Sequence, residues 1–283
     1  MALRNHEWKG YYPGRCNHLE ELFIPALLES EQYDRITGDF SSSILSIFAE
    51  GLEQIVDRDG SIRIINGLTL TEADAEAIER GESDGVINAN FDWEDVRVGR
   101  RDDVLNALAW LIDEEIVEIK FGAVTDETET PREASYGQWH QKVAIFSDEN
   151  EDSISVVGSP NESFKALTKN RESIVVNRSW VENSMYKWDE ARRLEAQKEE
   201  FDQLWQDRED GVAVFDLPEI LERNLLDYRP EHEPDWSAIM RAAGSNAAAA
   251  GSSRYSHRLI CEWPRCRRPR SIRRRSAVIA DGS

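Results

Sequence analysis

Short apolar runs of strand length alternate with amphipathic stretches of helical period through residues 33–205, and that alternation leaves few folds open to the chain. Residues 19–28 read as a short apolar helix or helical turn, interrupted at Pro25. Residues 33–40 read as a strand running into a turn, with Ser41, Ser42 and Ser43 as caps for the next helix. Ile44, Leu45, Ile47, Phe48, Leu52, Ile55 and Val56 then recur at helical spacing until Asp59-Gly60 ends the run. A strand is expected at 62–65, an acidic helix from Thr71 to Arg80, a polar loop over 81–90, a second amphipathic helix over 102–112 and a strand over 116–121. Residues 122–137 lack periodicity and read as an exposed loop. Strands at 140–146 and 154–157 pair around the acidic turn 147–152, and a helical turn at 161–169 leads to a strand at 173–176. The last strong element is a long helix over 180–205, with Trp188, Leu194, Phe201, Leu204 and Trp205 as its apolar contacts. The expected fold class is α/β: a sandwich with a mixed β-sheet flanked by helices, plus a C-terminal helix and a disordered tail.

The pattern weakens after Trp205, although 212–215 reads as a strand and 217–226 as a short helix. The expected division is a domain over 1–210, a linker or the start of a truncated following domain over 211–240, and a low-complexity tail over 241–283. Net charge is −21, yet the tail carries ten Arg against only Glu262 and Asp281. The remainder is therefore strongly acidic, and the whole chain holds only seven lysines. Such a surface resembles that of proteins from salt-loving organisms, where a Debye length of ~3 Å at 1 M screens self-repulsion. No apolar run approaches the ~20 residues of a membrane span. The first eight residues carry charge and no apolar h-region, so no secretory signal is read there. Three cysteines (Cys16, Cys261, Cys266) suit a reducing cytosol, and a cytoplasmic location is expected. Cys261, Cys266 and His257 lack the spacing and the fourth ligand of a zinc site.

The chemistry concentrates in residues 139–172. His140 and Lys142 lie two apart on an expected strand, so they share a face. Gly158-Ser159-Pro160-Asn161 closes the next strand, and Glu172 comes after the helical turn. An imidazole, an ammonium, a hydroxyl, a carboxamide and a carboxylate suffice to attack a phosphodiester without a metal. One route is covalent catalysis by a neutral imidazole, forming a phosphohistidine that water later hydrolyses, and His140 is the candidate. Lys142 is expected to face the same pocket as a donor to the phosphoryl oxygens, and Ser159 and Asn161 are expected to add donors on one face if strand geometry continues past Gly158. Gly158 allows close backbone approach, and Glu172 fixes the His140 tautomer through the second ring nitrogen. Each group also has an ordinary structural reading: a polar pair on an edge strand, a simple turn, a helix cap at Asn161, an ion pair of Glu172 with Arg171 or Lys169. Asp34 and Asp39 read as turn or cap residues.

His140-x-Lys142, Gly158-Ser159-x-Asn161 and Glu172, set in a β-β-α-β context, resemble the signature of the phospholipase D superfamily, in its nuclease-like branch. The resemblance covers roughly residues 20–205. It implies a phospholipase D-like sandwich, a metal-independent phosphodiesterase activity on nucleic acid, and catalysis by His140, Lys142, Ser159, Asn161 and Glu172 with no cofactor. The chain departs from the pattern at Ser147, where the family often carries an acid used mainly structurally; Asp148 is next to it. It also holds one such motif, whereas the family's mechanism uses two histidines, so the resemblance implies a homodimer with one His140–Lys142 pair from each subunit. A closer resemblance is to the phospholipase D-like module at the N-terminus of superfamily-2 helicases, some of them in phage-defence or restriction systems. Tyr33-Asp-Arg-Ile-Thr-Gly-Asp-Phe-Ser-Ser, Gly158-Ser-Pro-Asn-Glu-Ser, Asn170-Arg-Glu-Ser-Ile-Val-Val and Ser179-Trp180 carry it. It implies DNA as substrate and a helicase as partner. The chain itself has no phosphate-binding Gly-x-x-x-x-Gly-Lys-Ser/Thr loop, and the abrupt change near residue 240 raises the expectation of a reading frame lost there. Two other functions stay open: a catalytically inactive nucleic-acid or partner-binding module, and a phospholipid hydrolase. The second fits less well, because an acidic surface repels anionic membranes.

Overall fold

A computed structural model of the chain describes residues 2–14, 16–38, 43–90, 102–160, 167, 170–183 and 185–240. These belong to the compact unit Met1–Ala243; the second unit, Gly244–Ser283, and the whole of the expected tail lie outside the described residues. So do Ser41 and Ser42, two of the expected caps, and most of the expected helical turn at 161–169. Among the described residues eight strands make one mixed sheet: β1 (Tyr11–Tyr12), β2 (Gln32–Thr37), β3 (Ser61–Gly67), β4 (Val117–Val124), β5 (Val143–Ser147), β6 (Ser153–Gly158), β7 (Ile174–Arg178) and β8 (Val212–Asp216). Their order is β1-β7-β6-β5-β2-β3-β4-β8. Strands β2, β3 and β4 run parallel, and every other pairing is antiparallel. Parallel neighbours need a crossover: α2 (Ser43–Asp57) joins β2 to β3, and α3 (Glu72–Glu79), α4 (Ser83–Asn90) and α5 (Asp102–Asp113) fall between β3 and β4. The α/β class with a mixed sheet flanked by helices is therefore what the chain adopts.

Strand alternation sorts the side chains onto two faces. Tyr33 of β2 and Phe146 of β5 meet at 4.7 Å between ring centroids, beneath Phe23 and Phe48 of the helices on that side. On the opposite face Ile36, Ile65, Val143 and Ile145 pack with Phe201 and Leu204 of α6 (Glu190–Trp205). Burying a side chain of this size stabilises by about 1.5–3 kcal/mol. The same face carries the Asp34–Arg63 pair. Arg63 donates from Nε to Asp34 Oδ1 at 2.7 Å and from Nη2 to Oδ2 at 2.8 Å, and Gln32 Nε2 also donates to Oδ2 at 2.8 Å. Its guanidinium lies 4.8 Å from the Phe201 ring centroid and 5.5 Å from that of Trp205. Asp34, read from sequence as a turn or cap residue, is instead a buried strand carboxylate; Asp39 lies outside the described residues.

Several expected boundaries move for identifiable reasons. Pro25 does not end the helical run: Leu19–Phe23 winds as a π-helix and hands over to α1 (Ile24–Glu29), with Pro25 in its first turn. The expected loop at 81–90 contains α4, whose Val86 and Ile87 are buried. Gly81, at φ +83°, ends α3 and lets the chain turn into α4. The long helix begins at Glu190, not near 180, because Asp189 caps it, accepting from Arg192 N at 3.0 Å and Asn183 N at 2.8 Å. Trp188 therefore stands outside the helix, 57% exposed, and is not one of its apolar contacts. Residues 211–240 are not a linker: β8 adds to the edge of β4, and α7 (Glu219–Leu226) buries Leu221 and Leu225 against α4 and α5, with Trp236 and Ile239 also buried. Among the described residues no helix is long and apolar enough to cross a membrane.

Candidate active site at the carboxyl end of the parallel strands

The carboxyl ends of β2 and β3, the start of β5, the end of β6 and the start of β7 all lie on one edge of the sheet. In open α/β sheets that edge is where ligands collect. The segment 139–142 leads into β5 ahead of the strand itself, which begins at Val143 and not at His140. Trp139 and Val143 pack in the core under α6, and Gln141 Nε2 donates to Glu200 Oε1 of α6 at 2.9 Å. The His140 imidazole is exposed, whereas Lys142 is buried and its Nζ donates to the His140 carbonyl at 3.0 Å.

Continuing the β5–β6 register one step beyond Val143↔Val157 sets Lys142 beside Gly158, which is itself paired with Ile174 of β7. A Cβ at Gly158 would stand 2.7 Å from the Ser173 carbonyl, so the close approach expected of this glycine is real, although its neighbour is the adjacent strand. Strand geometry ends at Gly158, and Ser159 lies in a bend. Its hydroxyl donates to Glu172 Oε2. Glu172 thus holds the Ser159 hydroxyl, and among the described residues no hydrogen bond joins it to His140. The antiparallel β6–β7 pairing explains the contact, since it brings the residue after Gly158 and those before Ile174 side by side. Asn161 lies outside the described residues.

Two features of this edge escaped the sequence reading. Arg35 of β2 is only 1% exposed and stands on the same sheet face as Lys142, its Nη2 donating to the Pro160 carbonyl at 2.8 Å. The available signal was a cation between Tyr33 and Thr37, at alternating positions facing inward. The other feature is the setting of Trp139, 8% exposed, whose indole lies across Gly67 and Gly122. The Ser147 departure is also explained. Asp148 sits at the far end of β5 from His140, where Oδ2 accepts from Leu3 N at 2.8 Å and Oδ1 from Asn150 N at 2.9 Å and Asp152 N at 3.1 Å. It ties the N-terminal segment to the β5–β6 hairpin, while the Ser147 hydroxyl meets that of Ser153 at 2.9 Å.

No family model matches the chain, and no curated protein matches it. Among solved structures it is similar to NucT from Helicobacter pylori, at 13% identity over 72% of this chain and 97% of that one, with a TM-score of 0.40. It is similar to Nuc from Salmonella typhimurium, a phospholipase D family member, at 17% identity over 70% of this chain and 91% of that one, with a TM-score of 0.37. Phosphatidylserine synthase from Haemophilus influenzae overlaps 86% of this chain and 45% of its own length, at 11% identity and a TM-score of 0.38.

Proposed function

We propose that the unit Met1–Ala243 is a metal-independent phosphodiesterase of phospholipase D type, acting on DNA as a homodimer and serving a helicase partner. The observation that supports the reading is that the segments carrying His140 and Lys142, Ser159, and Glu172 adjoin the ends of β5, β6 and β7 at one edge of the sheet. His140 attacks phosphorus through an imidazole nitrogen; the N–P bond forms as the P–O bond to the leaving nucleotide breaks. The second subunit's copy of the same histidine gives its proton to the leaving oxygen, then takes one from the water that cleaves the N–P bond and restores the enzyme. Lys142 offsets the charge on the phosphoryl oxygens, with Asn161 as a further donor. The Ser159 proton is committed to Glu172 before substrate arrives. Rotation of that hydroxyl onto a phosphoryl oxygen frees Glu172 to accept from the second ring nitrogen of His140.

One observation favours a second reading, a nucleic-acid-binding module without turnover: Glu172 is engaged by Ser159 and not by His140. Incubation of the dimer with single- and double-stranded oligonucleotides at high salt, with and without EDTA, separates the two. Cleavage of equal rate in both buffers is expected. DNA binding without cleavage in either buffer would establish the module instead, and release of a head group from phospholipid vesicles, with DNA left intact, would establish a lipid hydrolase.

A further inference from the structure

We infer that Trp139 is the positioning residue for His140, and that it acts through a seat made by two opposed glycines of the β3–β4 ladder; the inference rests on the catalytic reading of His140 above. Gly67 and Gly122 are direct partners in the register. A Cβ at Gly67 would stand 2.5 Å from Trp139 Cδ1 and 2.6 Å from Cγ, and one at Gly122 would stand 2.6 Å from Cζ3 and 2.7 Å from Cη2. One glycine thus receives the five-membered ring and its partner the six-membered ring, so the indole lies flat across both strands. Any side chain at either position would lift it. Among the described residues the buried indole Nε1 makes no hydrogen bond. The ring's placement is therefore set by shape alone, with Ile65 and Leu204 in the same core.

The consequence falls on the next residue. His140 is three positions ahead of Val143, where the β5 ladder begins, so strand pairing does not fix its backbone. The Trp139 ring on one side and the Gln141–Glu200 hydrogen bond at 2.9 Å hold the segment on either side of it. A nucleophile must be held to within a fraction of an ångström of its target, and a misplacement of about 1 Å costs on the order of 10²-fold in rate. Gly67, Gly122 and Trp139 touch no reacting atom; they set where His140 stands.

The test is a double-mutant cycle with two readouts. Gly67→Ala and Gly122→Ala are each expected to lower kcat about 10- to 100-fold with KM unchanged. In a Trp139→Leu background, where no ring remains to be displaced, Gly122→Ala, whose nearest contacts are all ring atoms, should add no further loss, whereas Gly67→Ala still meets the residue-139 Cβ, 2.7 Å away, and is left out of the cycle. The second readout needs no turnover: the rate at which diethyl pyrocarbonate modifies His140, followed by mass spectrometry, should change with Gly122→Ala and not change further in the Trp139→Leu background. If Gly122→Ala does not fold, Trp139→Phe, which fills the seat incompletely, is expected to shift both readouts in the same direction. Unchanged kcat and modification rate in a folded glycine variant, or effects that simply add in the cycle, would overturn the seat. A wild-type dimer that cleaves no phosphodiester would defeat the catalytic reading, while the modification arm would still decide whether Trp139 places His140.

Discussion

Substitution of His140 by alanine is expected to lower phosphodiester cleavage by a factor on the order of 10⁴ or more, without loss of the fold. The side chain is exposed, so its removal leaves no cavity and no orphaned partner. All of the loss should therefore fall on chemistry. The variant also tests the shared site. If each phosphodiester needs one His140 as nucleophile and one as proton donor, a dimer with one altered subunit is inactive. Mixing wild-type and His140→Ala chains and allowing subunit exchange should then give activity that tracks the square of the wild-type fraction, about one quarter at equal mixing. Activity that falls in direct proportion to the wild-type fraction would mean that each subunit works alone.

The largest stability effect is expected at Arg63→Met, which should cost about 3 kcal/mol or more and lower the melting temperature by on the order of 10 °C. Asp34 has a side-chain exposure of 7%, and Arg63 is its paired cation. Without it the Asp34 carboxylate stays buried with only Gln32 as a donor among the described contacts. The guanidinium also loses its place over Phe201 and Trp205 and its 3.2 Å contact with Asp202. The double variant Asp34→Leu/Arg63→Met removes the stranded charge and should be more stable than Arg63→Met alone, since an apolar pair of similar volume replaces a buried ion pair at little cost. Thermal or denaturant melts of the four proteins decide it. A change within about 0.5 kcal/mol for Arg63→Met, the range of an ordinary surface substitution, would show that the pair does not hold α6 to the sheet.

The range of each interaction decided whether the sequence disclosed it. Strands and helices with local periodicity were legible: the helical-period run through Ile55 and Val56 becomes α2, and the apolar runs at 62–65 and 116–121 become β3 and β4. The spacing of His140 and Lys142 was read as one strand face, but β5 begins only at Val143, after both. Elements whose evidence is only two residues wide were not legible. The pair Val86–Ile87 that anchors α4 is surrounded by polar residues, whereas β8 and α7 were read at 212–215 and 217–226 and only their packing against β4, α4 and α5 was hidden. Contacts that join distant parts of the chain were equally hidden. Nothing near Gly67 or Gly122 announces that Trp139 lies across both, and nothing near Arg35 announces Pro160. The partner of Glu172 depended on where β6 stops. Had the strand continued past Gly158, the Ser159 hydroxyl would not have met the carboxylate that the sequence assigned to His140.

The central claim is that His140 becomes covalently bonded to phosphorus, and the most direct measurement is capture of that bond. Wild-type dimer and a short DNA oligonucleotide are mixed in EDTA, quenched in alkaline denaturant to preserve the acid-labile phosphoramidate, digested and analysed by mass spectrometry. The account predicts a nucleotide attached to the peptide containing His140, present during turnover, absent from His140→Ala and not diminished by EDTA. Turnover without any adduct, or an adduct that persists in His140→Ala, would contradict it.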